Sequence, residues 1–166
     1  CADAATGRVL WRTAGEFGLR LGNPLIDPAM GTVVATIGHP GRWVGWYDLA
    51  TGIRLGTAPL DQATDSSITS AGGRWFAVAG SGTVFAWSPL VGTSAAGGDD
   101  GGAAFGRRSV PSVTASAAWQ ANVRGEVFLA TPAYADGFLY LAPGGGNPNL
   151  IKFNAREDAP EMGAIE

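Results

Sequence analysis

The chain has 166 residues, enough to bury a core without help from disulfides or metals, and its single cysteine excludes an internal disulfide framework. Apolar residues make up 46% and charged residues 15%, with a formal net charge of -3, so the clustered cations that bind nucleic acid are missing. Gly (26) and Pro (10) are abundant, but Trp (6), Phe (7) and Tyr (3) accompany them, which reads as short strands joined by tight turns rather than as disorder.

In chain order, the first marker is the turn Asp3-Ala4-Ala5-Thr6-Gly7, which returns as Asp48-Leu49-Ala50-Thr51-Gly52 and, more weakly, as Ser88-Pro89-Leu90-Val91-Gly92. The copies are 45 and 40 residues apart, the length of one four-stranded propeller blade. β-Prone stretches precede the second and third, at Trp43–Tyr47 and Thr83–Trp87. An Asp or Ser opens such a turn by accepting backbone N–H groups, and Gly closes it at positive φ. A second marker lies 15 to 17 residues upstream of each turn: Gly31 before Thr32–Ala35, Gly73 before Arg74–Val78, and Gly137 before Phe138–Leu141. Each predicts a hairpin entering a strand, and the last places a degenerate blade turn at Asn154, where Asp158 replaces the closing Gly. The 66 residues between Ser88 and Asn154 exceed one blade, and the excess falls in the Gly-rich stretch from Thr93 to Ser116.

These markers predict an all-β fold of propeller-type blades, each of four antiparallel strands, about three to four in number and forming an incomplete propeller. The organisation is blades over 1–92, a Gly-rich flexible insertion over 93–116, and a further blade with a tail over 117–166. No segment sustains helical periodicity, and no run is apolar enough for a membrane helix. Uncovered edges of an unclosed blade array call for a protein partner or for the remainder of a longer propeller.

Cys1–Trp11 resembles the tryptophan-docking motif of pyrroloquinoline-quinone-type β-propellers, Ala-x-Asp-x-x-x-Gly-Lys-x-x-Trp, with Cys1 for Ala and Arg8 for Lys. The resemblance implies that Trp11 packs between neighbouring blades while Asp3 and Gly7 shape the turn. The second copy keeps Asp48 and Gly52 but has Gly56 at the Trp position; the third keeps Gly92 alone, with Ser88 for Asp and Ala96 for Trp. A WD-type propeller, with Tyr47-Asp48 and Phe85-Ala86-Trp87 as strand ends, is the rival name for the same architecture. Quinone-binding members of the first family need a calcium or lanthanide site, an acidic base and usually a vicinal Cys pair. Gly144-Gly145-Gly146-Asn147-Pro148 looks like their Gly-x-Gly-Asn-Pro segment, which would make Asn147 an amide ligand; a plain Gly/Pro turn between two strands accounts for it with nothing extra.

His39, the only histidine, lies in the turn sequence Gly38-His39-Pro40-Gly41, with no second His or Cys to complete a zinc site and no Gly-x-Ser-x-Gly elbow. Asp99 and Asp100 lack the alternating oxygen ligands of a calcium loop. Trp43, Trp46, Trp75 and Trp87 are expected to pack between sheets rather than to line a sugar site. Cys1 admits two readings, the acylated first residue of an exported lipoprotein or a small buried strand residue. The expectation is therefore a scaffold for protein interaction without catalysis or cofactor, exported to the periplasm or the extracellular side. The alternatives are a fragment of a quinone-dependent dehydrogenase and a lipid-anchored accessory subunit of a membrane complex.

Overall fold

The computed structural model describes residues 1–13, 22–37, 42–64, 66–94, 110–123, 130–143, 150–155 and 162–164. Among them every regular element is a β-strand, and the strands form three four-stranded antiparallel sheets in meander order. The first blade comprises β1 (Leu25–Asp27), β2 (Thr32–Ile37), β3 (Trp43–Asp48) and β4 (Arg54–Pro59). The second comprises β5 (Thr69–Ala71), β6 (Arg74–Val78), β7 (Thr83–Ser94) and β8 (Val110–Asn122). The third comprises β9 (Ala133–Ala135), β10 (Phe138–Leu141), β11 (Ile151–Asn154) and β12 (Met162–Ala164).

The glycine markers set the inner hairpins. Gly31 (φ 63°) joins β1 to β2, Gly72 and Gly73 (57° and 72°) join β5 to β6, and Asp136 and Gly137 (52° and 88°) join β9 to β10. At the second and third of these hairpins the consecutive positive φ values match the right-handed twist of the flanking strands, and Gly or Asp tolerates them at low steric cost. The inner strands β1, β5 and β9 then lie side by side, β5 touching both of the others.

The core lies between the blades. Pleating sends alternate residues of β6 and β7 to opposite faces. Trp75, Ala77, Phe85 and Trp87 join Val34, Val44, Trp46 and Ala58 of the first blade. Phe76, Val78, Val84 and Ala86 join Leu139, Leu141 and Phe153 of the third. The second blade is thus covered on both faces, which is why Arg74–Val78 reads as a nearly continuous apolar run. Nearer the inner strands, hydroxyls tie successive blades. Thr36 Oγ1 donates to the Ser66 carbonyl at 3.2 Å and accepts from Gly22 N–H at 3.3 Å, and Ser66 Oγ donates to the Ala130 carbonyl at 3.0 Å.

Two sequence expectations change here. The third turn, expected at Ser88–Gly92, does not form, because β7 runs unbroken through these residues and pairs with β8 from Thr83↔Asn122 to Ser94↔Val110. Val91 stands where the other copies have Thr, and so lacks the hydroxyl that accepts the Arg8 and Ile53 N–H groups within those turns. Residues 93–94 and 110–116, assigned from composition to the insertion, accordingly lie in β7 and β8, and β8 belongs to the second blade rather than to the segment that follows.

Trp75 carries the clearest polar link across the first interface: its Nε1 donates to Asp27 Oδ2 at 2.8 Å, both groups being buried. Trp75→Phe keeps most of the ring but leaves that carboxylate oxygen without its donor. Denaturant titration should show a loss of about 1–3 kcal/mol, the cost of an unsatisfied buried polar group.

Candidate functional site

The first two Asp turns are the same object. Asp3 Oδ1 accepts the N–H groups of Ala5 and Thr6, both at 2.9 Å, and Gly7 N–H donates to the Asp3 carbonyl at 2.8 Å. Asp48 Oδ1 accepts from Ala50 and Thr51 at 3.1 and 2.7 Å, and Gly52 N–H donates to the Asp48 carbonyl at 2.8 Å. Gly7 and Gly52 close the turns at φ 68° and 73°. The Thr6 backbone N–H, then the Thr6 hydroxyl and the Ala5 N–H, hold the Asp3 carboxyl below its ordinary value. Both carboxylates are engaged in shaping backbone.

Trp11 joins the two turns. Its Nε1 donates to the Leu49 carbonyl at 3.1 Å, and its ring lies against Gly52 so closely that a Cβ there would fall 2.4 Å from Cε3. An indole from one repeat thus docks on the turn of the next.

The next interface is built differently. Gly56, at the Trp position of the second motif, is covered by Trp46, whose Cζ2 would be 2.4 Å from any Cβ at 56. Trp46 sends its Nε1 to the Val113 carbonyl at 2.6 Å, on the part of β8 that extends past the missing turn. A tryptophan from β3 has taken over the crossing bond, and glycine at 56 makes room for it. Backbone register adds a residue that the spacing argument missed. Trp46 pairs with Gly56 and Ala86 with Trp119, each just before a β-bulge, so Trp119 and not Ala96 occupies the motif's Trp position in the second blade. Gly56 follows Asp48 by eight residues, whereas Trp119 follows Ser88 by 31, and that insertion hides the equivalence from a fixed spacing.

The other candidates separate. Trp46, Trp75 and Trp87 are buried, while Trp43 is 46% exposed. Cys1 lies in hairpin register, its amino group donating to the Trp11 carbonyl at 3.0 Å, but its side chain is exposed, contrary to the reading of a buried strand residue; no described segment packs over that face. Asn154 pairs with Phe138 as Asp48 pairs with Thr32, and Ala155 N–H donates to Gly137 O as Leu49 N–H does to Gly31 O, so the degenerate copy holds the expected register. His39, Asp99, Asp100 and Asn147 lie outside the described residues. Among the described residues no three His, Cys, Asp or Glu side chains form a group able to hold a metal, and no helix is long and apolar enough to cross a membrane.

No protein-family model matches the chain, and neither does any curated protein. Solved structures do. The quinohemoprotein alcohol dehydrogenase ADHIIG of Pseudomonas putida HK5 aligns with a TM-score of 0.61 at 12% identity, over 91% of this chain and 21% of that one. BamB of Moraxella catarrhalis aligns with a TM-score of 0.47 at 17% identity, over 94% of this chain and 53% of that one. The chain spans about a fifth of the first and about half of the second. With the blade geometry above, the first likeness establishes an all-β fold of propeller-type blades.

Gly7 and Gly52 hold the same turn position with similar φ, but only Gly52 has a ring against it. Gly7→Ala should cost about 1–2 kcal/mol for the left-handed backbone alone. Gly52→Ala should cost about 1–3 kcal/mol more for overpacking against Trp11. In a Trp11→Ala background the two alanine substitutions should converge, as a double-mutant cycle by denaturant titration would show.

Proposed function

We propose that this chain is a non-catalytic scaffold module of the pyrroloquinoline-quinone-type propeller repeat family, exported to the periplasm or the extracellular side, that docks a protein partner or further blades. The observation that carries this reading is the β7–β8 hairpin. At the level where the first blade turns (Asp48), the second continues through Ser88 for six more residues, paired strand to strand, to Ser94. Leu90 on this extension is 60% exposed, a large apolar side chain held out on a strand. The hairpin is anchored at its base, since Val113 is buried and accepts the Trp46 indole bond. An anchored, partly apolar projection suits recognition rather than chemistry.

The family assignment rests on the Asp3-to-Trp11 arrangement, in which an Asp-shaped turn and a docked indole occur together. The rival WD-type reading offers no account of that pairing. Export rests on the same resemblance.

Leu90→Asp puts a charge on the projection without touching either core cluster. In protein purified natively from the periplasmic or extracellular fraction, this variant should lose its partner while its far-UV circular dichroism is unchanged. Retention of the partner by Leu90→Asp, or recovery of the wild type as a lone chain, would contradict the scaffold reading.

A further inference from the structure

The outer mouth of the interface between the first and second blades opens into a groove of about 470 Å³, within the roughly 300–1,000 Å³ of ligand pockets. Thr57 and Ala58 on β4 form one wall, Ala117 and Gln120 on β8 the other, and Phe85 and Trp87 on β7 the floor. The two floor rings stack, with centroids 5.6 Å apart and planes 7° from parallel. Small side chains on the walls leave the space open, and no lining residue carries a charge.

One polar group in this groove is unaccounted for. The indoles of Trp11, Trp46 and Trp75 each donate to an acceptor on another blade. Trp87 is only 3% exposed, and among the described residues its indole N–H meets no acceptor. Nor is that N–H sealed from solvent, because the one sealed and unpartnered side-chain polar atom among the described residues is Thr32 Oγ1. A nearly buried donor on a side chain that lines the groove marks a place where an acceptor oxygen fits.

The walls narrow the choice of ligand. β4 and β8 are the outermost strands of their sheets, so each has one edge that its own sheet leaves unpaired. An extended chain can pair along such an edge and drop alternate side chains into an adjoining groove. A charged ligand would lose its hydration here without finding a counter-charge. We propose that this groove binds an extended, uncharged peptide segment of the protein partner. The segment lays an apolar side chain on the Phe85–Trp87 stack and accepts the Trp87 N–H at a backbone carbonyl. This deepens the scaffold reading and rests on it.

The test uses the intact protein and the synthetic peptide acetyl-Ala-Val-Ala-Val-Ala-amide, with acetyl-Ala-Glu-Ala-Val-Ala-amide as its charged counterpart. The indole N–H resonance of Trp87, assigned by its loss in Trp87→Phe, should shift on adding the neutral peptide. Calorimetric affinity should fall about fivefold in Trp87→Phe, the loss expected for one hydrogen bond, and the Glu peptide should bind more weakly still. Ala117→Leu, at an exposed wall position, should abolish binding without lowering the unfolding temperature. An unmoved Trp87 resonance, or affinity unchanged in Trp87→Phe, would overturn the proposal. An equal shift with N-methylacetamide would also overturn it, making the groove a site for small amides rather than for a strand. A native complex that survives Ala117→Leu and Trp87→Phe but not Leu90→Asp would sink the groove and leave the scaffold reading standing. A protein with no native partner would sink the scaffold reading itself.

Discussion

The indole N–H bonds that cross from one blade to its neighbour are the constraint on which the rest of this structure depends. Each blade is a small antiparallel meander, satisfied along its own ladders but with two apolar faces to cover. Burying those faces against each other is non-directional and sets no register between blades. A tryptophan supplies both needs, a large apolar ring and one directed donor. Trp11 fixes the Cys1–Trp11 hairpin to the turn of the first blade through Leu49, Trp46 fixes the first blade to β8 through Val113, and Trp75 fixes the second blade to β1 through Asp27. Near the inner strands, Thr36 and Ser66 repeat the arrangement with hydroxyls and main-chain carbonyls.

This constraint explains why two losses occur together. The second motif lacks its Trp at 56, and the turn on which that Trp would dock, at Ser88, is replaced by an extended hairpin. With the turn gone the docking surface is gone, and the interface uses Trp46 and Val113 instead. Gly56 is a fitted position rather than a decayed one, since any side chain there would displace the Trp46 ring. The extension that removed the turn also gives the molecule its projecting surface, and the small residues that line the same interface leave its outer mouth open.

Much of the fold was legible in the sequence because its signals are local. Gly31, Gly73 and Gly137 mark backbone that only a few residue types adopt, and Asp3 and Asp48 bond amides two and three residues on. Signals that depend on partners distant in sequence were not legible. Ser88–Gly92 matched the turn spacing, but spacing does not report that Val110–Ser116 would arrive as a pairing strand. Trp119 escaped a fixed-period search because the inserted residues precede it. Nothing in the order of residues sets Trp87 apart from Trp46 and Trp75. The difference is whether a neighbouring blade happens to present an acceptor, which only the assembled interface reveals.

Amide hydrogen exchange in Trp46→Phe tests the central claim most directly, because phenylalanine retains much of the packing and deletes only the crossing donor. If the indole bonds hold the blades in register, amides of Val110–Ser116 should exchange about five to ten times faster, as expected for about 1 kcal/mol of local opening, while those of β10 and β11 keep their protection. Unchanged exchange along β8 would mean that apolar burial alone seats the hairpin and that the indole bonds do not set the register between blades.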